Sequence, residues 1–295
     1  MSQPPRHCRQ SPPRQEAVAA WRRPRGVSPE TWQYVQQRTI ADHYDAFVAE
    51  TPLCELDQRL VSEWLPPLSQ DRAGEDPIAS DAGDEQSRPV VIDLGTGTGR
   101  VAMTLAERGY RVIAIDLSQP MLECLTQRLQ EIPEHRRVQP IRANLVELDC
   151  LSDGAADHAV CLFSTLGMIQ GRAHRRSVLQ HAARIVRRGG SLIVHVHHRW
   201  AAIGEPGGTK RLIQSWLASR VQADREFGDA VYPYRGLSQM FLHRFSRREL
   251  MDDLQQAGWM IQDFVPLSVD GSSPHPSTLS FWKIPGGFIV RASRE

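Results

Sequence analysis

Three glycines, two aspartates and a cluster of histidines are the residues whose types and spacing could do chemistry in this chain. Asp93, Gly95, Gly97 and Gly99 stand in the run V-V-I-D-L-G-T-G-T-G-R over residues 90–100, with Thr96 and Thr98 between the glycines. Glycine at those positions lets the backbone turn sharply and lets a ligand lie directly against the main chain. A helix opening near Arg100 turns its free N–H groups toward that loop and favours negative charge, such as a carboxylate. Asp116 ends a second apolar run, and its carboxylate can accept both hydroxyls of a ribose. His195, His197 and His198 form an H-x-H-H cluster in which period two puts His195 and His197 on one strand face. An imidazole there could take a proton from an attacking hydroxyl or amine, an effect of roughly 10²- to 10⁴-fold. The same cluster, with His243, could hold a metal, although no acid or cysteine stands at a recognisable ligand spacing. Satisfied structural histidines are the plain alternative.

The elements that must position these residues follow from periodicity. Val90, Val91, Ile92 and Leu94 read as a strand buried on both faces. From Pro89 onward, strands and helices alternate: strands at 89–94, 110–115, 137–142, 157–163 and 190–197, and helices at 100–108, 119–130 and 174–187. That alternation predicts an α/β, doubly wound, mostly parallel sheet covered on both sides. Ligands of open parallel sheets lie beyond the carboxyl ends of the strands, where His197 falls. Residues 199–235 break the rhythm with Gly, Pro and aromatic residues, and 237–245 read as an added strand. Ser246-Arg-Arg-Glu249 is a capping box opening a helix to about Ala257. Strands at 259–265 and from Gly287 complete the pattern.

Ahead of the core, residues 1–27 are rich in Pro, Gln and Arg and read as a disordered basic tail. A basic arm for nucleic acid is the sharper alternative, without interleaved aromatics to stack on bases. Helical spacing runs through Trp32, Val35, Tyr44, Phe47 and Val48 from a start at Ser28-Pro29, and a second helix is expected over 54–65. Residues 69–88 are acidic and aperiodic, and are expected to be a disordered linker before a core spanning 89–295.

The spacing G-x-G-x-G after an acid, rather than the dinucleotide fingerprint G-x-G-x-x-G, resembles motif I of the class I S-adenosylmethionine-dependent methyltransferases. Asp116 followed by Leu117-Ser-Gln-Pro-Met-Leu resembles their motif II acid and its continuation. The resemblance covers 89–198 firmly and 246–292 loosely. It implies a seven-stranded Rossmann-like sheet with the last strand antiparallel, N-terminal helices folded over the cofactor, and a substrate-side insertion at about 199–245. It also implies S-adenosyl-L-methionine as cofactor, held by Gly95, Thr96, Gly97 and Gly99. Asp93 would orient the methionine ammonium, and Asp116 and Leu117 would meet the ribose end. Asn144 follows the third strand where the family places an acid or amide near the adenine amino group, or is a simple turn residue. Phe163 and Ser164 end the fourth strand where the family lines cofactor and substrate, although Phe163 reads equally as core. Tyr44, with Asp45, resembles a contact made from the N-terminal helices, or anchors a helix face. The reaction implied is attack of a nucleophile on the sulfonium methyl, which the cofactor supplies and the protein aligns.

Composition narrows the acceptor. A net charge of +1, with 41% hydrophobic and 23% charged residues, describes an ordinary globular protein without strong global attraction to nucleic acid or membrane. Lys210 and Lys283 are the only lysines, so lysine chemistry is poorly supplied. Five scattered cysteines without C-x-x-C are expected to be reduced thiols of a cytoplasmic protein. No apolar run is long enough to span a membrane. A small-molecule methyltransferase is the leading expectation. A tRNA methyltransferase of the wobble-uridine type is the alternative, from a faint likeness of Leu242-His-Arg-Phe-Ser…Glu249-Leu to that family. A non-catalytic cofactor-binding protein and an NAD-linked dehydrogenase are the others. Arg235, His243 and Arg244 could hold an anionic substrate, or be a solvated face.

Overall fold

A computed structural model describes residues 23–49, 51–68, 87–132, 137–234, 237–275 and 284–295. Its centre is a seven-stranded sheet made of β1 (Val90–Leu94), β2 (Arg111–Asp116), β3 (Val138–Arg142), β4 (Ala156–Cys161), β5 (Val186–His197), β8 (Trp259–Leu267) and β9 (Gly287–Arg294). Their order across the sheet is β3-β2-β1-β4-β5-β9-β8. Strands β1 to β5 pair parallel. The last strand, β9, runs antiparallel between β5 and β8, the class I arrangement that the motifs imply. The chain order reverses between β1 and β4, so a crevice opens beyond their carboxyl ends.

Helices α4 (Arg100–Glu107), α5 (Gln119–Leu129), α6 (Arg172–Ile185) and α8 (Arg247–Gln256) cover the two faces. Each central strand buries both faces. Ile92, Leu94, Val194 and Val196 pack with α6 and α8 residues on one side; Val91, Ala114, Val160 and Ile193 pack with α4 and α5 on the other. The Ser246 hydroxyl accepts from the Glu249 N–H, capping α8 as its sequence predicts.

Several boundaries differ from expectation for identifiable reasons. The N-terminal run is two helices, α1 (Pro29–Gln36) and α2 (Arg38–Ala49), because Gln37 is extended between them; α3 is Pro52–Trp64. Strand β5 begins at Val186 rather than 190. Gly189 and Gly190 sit in a bulge within it, where a Cβ on Gly190 would lie 2.1 Å from the Asp157 carbonyl oxygen. The insertion at 199–245 holds a helix, α7 (Gly208–Val221), and an antiparallel hairpin of β6 (Asp229–Tyr234) and β7 (Leu237–His243); periodicity predicts neither α7 nor β6. The tail expected over 1–27 lies outside the described residues as far as Arg22. From Arg23 to Val27 it is ordered: the Gly26 carbonyl accepts from the Gln170 N–H and Val27 is buried. Of the linker expected over 69–88, residues 69–86 lie outside the described residues. No helix among the described residues is long and apolar enough to cross a membrane.

Candidate active site

The turn leaving β1 is stitched to the end of β2. The N–H groups of Gly95 and Thr96 donate to the Ile115 carbonyl at 2.8 and 2.9 Å, and Gly97 N–H donates to Asp116 Oδ2 at 2.8 Å. Gly95 and Gly97 are left-handed, at φ 81° and 58°. A Cβ on Gly95 would strike Thr165 at 2.3 Å. Asp116 Oδ1 accepts from Ser118 N–H at 2.8 Å, so both carboxylate oxygens hold the loop and keep further lone pairs for a ligand. Burial raises the Asp116 carboxyl above its ordinary range, and the N–H bonds from Ser118, Gly97 and Leu117 oppose that.

These groups line one cavity of about 340 Å³, the size of a small-molecule site. Gly95, Gly97, Asp116, Leu117, Asn144, Phe163, Tyr44, His195 and His197 all border it. The two histidines come from the carboxyl end of β5, and Tyr44 lies across Gly97, 3.6 Å from where its Cβ would be. Glycine backbone and a buried carboxylate bordering one cavity of this size fit S-adenosylmethionine.

Three predicted cofactor residues, Asp93, Thr96 and Gly99, stand behind the cavity instead. Asp93 accepts from Thr96 Oγ1 at 2.7 Å, which closes the loop on itself, and burial pushes the Asp93 carboxyl up to about 6. Gly99 serves packing, since a Cβ there would lie 2.3 Å from Leu125 Cδ1. Asn144 borders the cavity, but its side chain is committed to the turn. Nδ2 donates to the Arg25 carbonyl and Glu147 Oε2, and Oδ1 accepts from Val146 N–H. Asp45 likewise faces the loop: it accepts from Thr98 Oγ1 at 2.6 Å and pairs with Arg128, pinning α2 onto the glycine turn.

Phe163 and Ser164 are the two non-glycine residues with positive φ among those described, at 50° and 60°. Strain of this kind collects at functional sites. It turns Phe163 into a chain of edge-on rings with Tyr44, Phe47, Tyr234 and Tyr232, their centroids 6.1–6.5 Å apart. Phe47 reads only as a helix-face residue in the sequence, and Tyr232 and Tyr234 are not singled out by it. The Y-P-Y triplet at 232–234 is the signal that could have found them.

His195 is buried and His197 half-buried, their rings 5.2 Å apart edge to face. Burial, reinforced by His197 and Arg100, drives His195 well below the usual imidazole range. Burial with Arg244 brings His197 down to about 4. Both are neutral at pH 7. His198 turns away and bonds the Pro285 carbonyl through Nδ1. His243 is not beside them. It lies buried between Asp229 (2.7 Å) and Glu249 (2.8 Å), where Arg175 bonds Glu226 and Arg199 bonds Glu249. Glu226, Asp229 and His243 come close enough together to ligate a cation, but the Arg175 guanidinium already meets their charge. Arg244 pairs with Glu205 at 2.6 Å and does not border the cavity, so neither it nor His243 is placed to grip an anionic substrate there. Arg235 lies outside the described residues.

Comparison with known proteins agrees with this geometry. Residues 91–190 match the family model described as methyltransferase domain. The tRNA 5-carboxymethoxyuridine methyltransferase of Escherichia coli (strain K12) is 32% identical over 120 residues, covering 40% of this chain and 42% of that protein. The chain therefore matches about two fifths of the length of the curated relatives first found. The CcbJ methyltransferase from Streptomyces caelestis has a similar fold, with TM-score 0.57 at 18% identity over 87% of this chain and 96% of the other. The 1,6-didemethyltoxoflavin-N1-methyltransferase of Burkholderia thailandensis has TM-score 0.53 at 18% identity over 91% of both chains.

Proposed function

We propose, from the premise that residues 91–190 are a methyltransferase domain of the class I S-adenosylmethionine-dependent kind, that this chain methylates an oxygen or nitrogen of a small molecule. The observation that carries the reading is the sharing of one cavity by Gly97, Asp116 and the β5 histidines. S-adenosylmethionine supplies an electrophilic methyl when bound. The protein supplies placement, which is worth up to roughly 7–11 kcal/mol for a well-aligned pair. Gly95 and Gly97 offer their backbone to the amino-acid end, and Asp116 offers its carboxylate to the ribose. Tyr44 closes over the glycine turn, while His195 and His197 face the space left for the acceptor. A neutral imidazole takes the proton that an O–H or N–H sheds as it is alkylated, because alkylation makes that proton strongly acidic. His197 is the nearer of the two to the strand end and is assigned the base role, with His195 beside it. We also infer a cytoplasmic setting from the unpaired cysteines, of which Cys54, Cys124, Cys150 and Cys161 are free thiols.

Transfer to a tRNA uridine is the second reading, favoured by the Escherichia coli relative and the substrate in its name. Incubation with methyl-labelled S-adenosylmethionine and either a metabolite extract or total tRNA separates the two. Label in the metabolite pool is expected; label in tRNA favours the second reading, and label in neither leaves a non-catalytic cofactor-binding protein.

A further inference from the structure

The acceptor half of the cavity has a chemistry of its own. Its walls are the rings of Phe47, Phe163, Tyr232 and Tyr234, with Met240 and Leu242 from the inserted hairpin. Rings packed edge-on at these spacings form a continuous apolar wall against which a flat molecule can stack or make edge contact. Among the described residues bordering the cavity there is no lysine or arginine. Arg244, Arg199 and Arg175, the cations of the neighbouring elements, are each committed to carboxylates. A carboxylate or phosphate buried there would meet no counter-charge, and an unpaired buried charge is costly.

Beside the Tyr232, Tyr234 and Ser164 hydroxyls, the polar groups lining this half include the two histidines. The rings of His43, His158, His174, His181, His198 and His243 each bond to another protein group, whereas His275 Nε2, like His195 Nδ1, is buried without a partner but does not border the cavity. The ring of His195 borders the cavity with its Nδ1 buried and without a partner. Its other edge lies against Gly287, whose Cβ would stand 3.1 Å from Nε2, so the absence of a side chain at 287 gives the ring its place. A buried imidazole nitrogen left unpaired favours a ligand that pairs it, so a hydroxyl or N–H reaching the His195 ring would set its tautomer.

We propose that the methyl acceptor is an uncharged planar aromatic or heteroaromatic small molecule, seated among these rings, whose attacking hydroxyl or ring N–H donates to His195 or His197. This rests on the methyltransferase reading above. In the step itself, the acceptor oxygen or nitrogen forms the bond to the methyl carbon. The sulfur–carbon bond breaks with its electron pair returning to sulfur. The acceptor's proton passes to an imidazole nitrogen and from there to solvent.

Calorimetric titration of the full chain, with and without S-adenosylhomocysteine, against three probes sharing one ring system tests this. The probes are 1-naphthol (neutral, with a donor), 1-methoxynaphthalene (neutral, without one) and 1-naphthyl phosphate (anionic). The expected result is that 1-naphthol binds at least tenfold more tightly than either of the others. His195→Phe and His197→Phe each keep a ring and remove the nitrogens, and one of the two is expected to bring 1-naphthol to the level of 1-methoxynaphthalene while leaving S-adenosylhomocysteine binding unchanged. The proposal is overturned by equal or tighter binding of 1-naphthyl phosphate, by 1-naphthol failing to bind at millimolar concentration, or by 1-naphthol binding unaffected in both His195→Phe and His197→Phe. S-adenosylhomocysteine failing to bind overturns the underlying methyltransferase reading, and this proposal with it, and is distinguished from the other outcomes by its own titration.

Discussion

The Asp116 carboxylate serves two partners at once. It fixes the glycine turn through Gly97 and Ser118, and it faces the cavity with its remaining lone pairs. Asp116→Asn keeps the shape but replaces one acceptor oxygen by a donor and removes the charge. Hydrogen bonds to a charged group contribute about 1.5–3 kcal/mol, so S-adenosylhomocysteine is expected to bind about 10- to 150-fold more weakly by calorimetry. Affinity within about threefold of the parent chain would remove Asp116 from the site. His197 carries a prediction of a different kind. Its folded state titrates near 4, through burial and Arg244 with Glu205 opposing, against about 6.5 when unfolded. Between those values the unfolded chain holds a proton that the folded chain lacks, so His197 lowers stability as pH falls from about 6.5 to about 4 and has no such effect above. Urea midpoints should drop further between about pH 7.5 and about pH 5 for the parent chain than for His197→Gln; equal drops contradict the assignment. Asp116 was legible because a carboxylate ending an apolar strand one βαβ unit after a glycine turn has few other reasons to be there. Asn144 was legible as a turn residue, through its local bonds to Val146 and Glu147, but its bond to the Arg25 carbonyl was not, because that segment is brought in from over a hundred residues away.

The inserted hairpin reaches the cavity because a buried ionic cluster docks it. Arg175 on α6 is wholly buried and bonds Glu226, just ahead of β6, and Glu249 on α8. His243 on β7 bridges Asp229 and Glu249, and Arg199, after β5, closes on Glu249. Burial alone would raise the Glu249 carboxyl, but His243, Arg199 and Arg175 hold it down at about 2. Removing one partner from such a cluster leaves charge buried and unpaired, at a cost of about 3–5 kcal/mol. Arg175→Met is accordingly predicted to lose that much stability in guanidinium titration, whereas Arg248→Met, on an exposed pair with Asp252, should lose less than about 1 kcal/mol. Similar losses in the two variants would deny the cluster its docking role. The insertion is also where sequence reasoning ran out. Ile213, Trp216, Leu217 and Val221 of α7 recur at helical spacing, yet all four are at least 45% exposed and only Gly208 of that helix is buried. The surrounding Gly, Pro and aromatic residues hid that period. The core strands were legible because burial on both faces forces a continuous apolar run, which no loop imitates.

At the scale of the whole molecule, the cavity is walled by the N-terminal helices on one side and the hairpin on the other. The walls are held differently. The hairpin is anchored by the buried cluster around Arg175 and Glu249. Helix α2 has Ile40, Ala41 and Val48 buried and sets the rings of Tyr44 and Phe47 against Phe163 and Tyr234; its polar ties to other elements are Asp45 to Thr98 and Arg128, and Arg38 to Glu123. Exposed ion pairs of the Arg38 kind are worth little, and local opening concentrates where buried apolar contact is sparse. Helix α2 is therefore expected to be the more mobile wall. Since Tyr44 on that helix covers Gly97, a molecule lying on the glycine turn gains contact only when α2 is closed, and so stabilises it by linkage. Hydrogen exchange read by mass spectrometry should show amides of 38–49 exchanging faster than those of 237–243 in the free protein. Saturation with S-adenosylhomocysteine should slow 38–49 by at least tenfold while changing 237–243 much less. Faster exchange in the hairpin, or ligand protection confined to it, would make the insertion the moving wall and reverse the assignment.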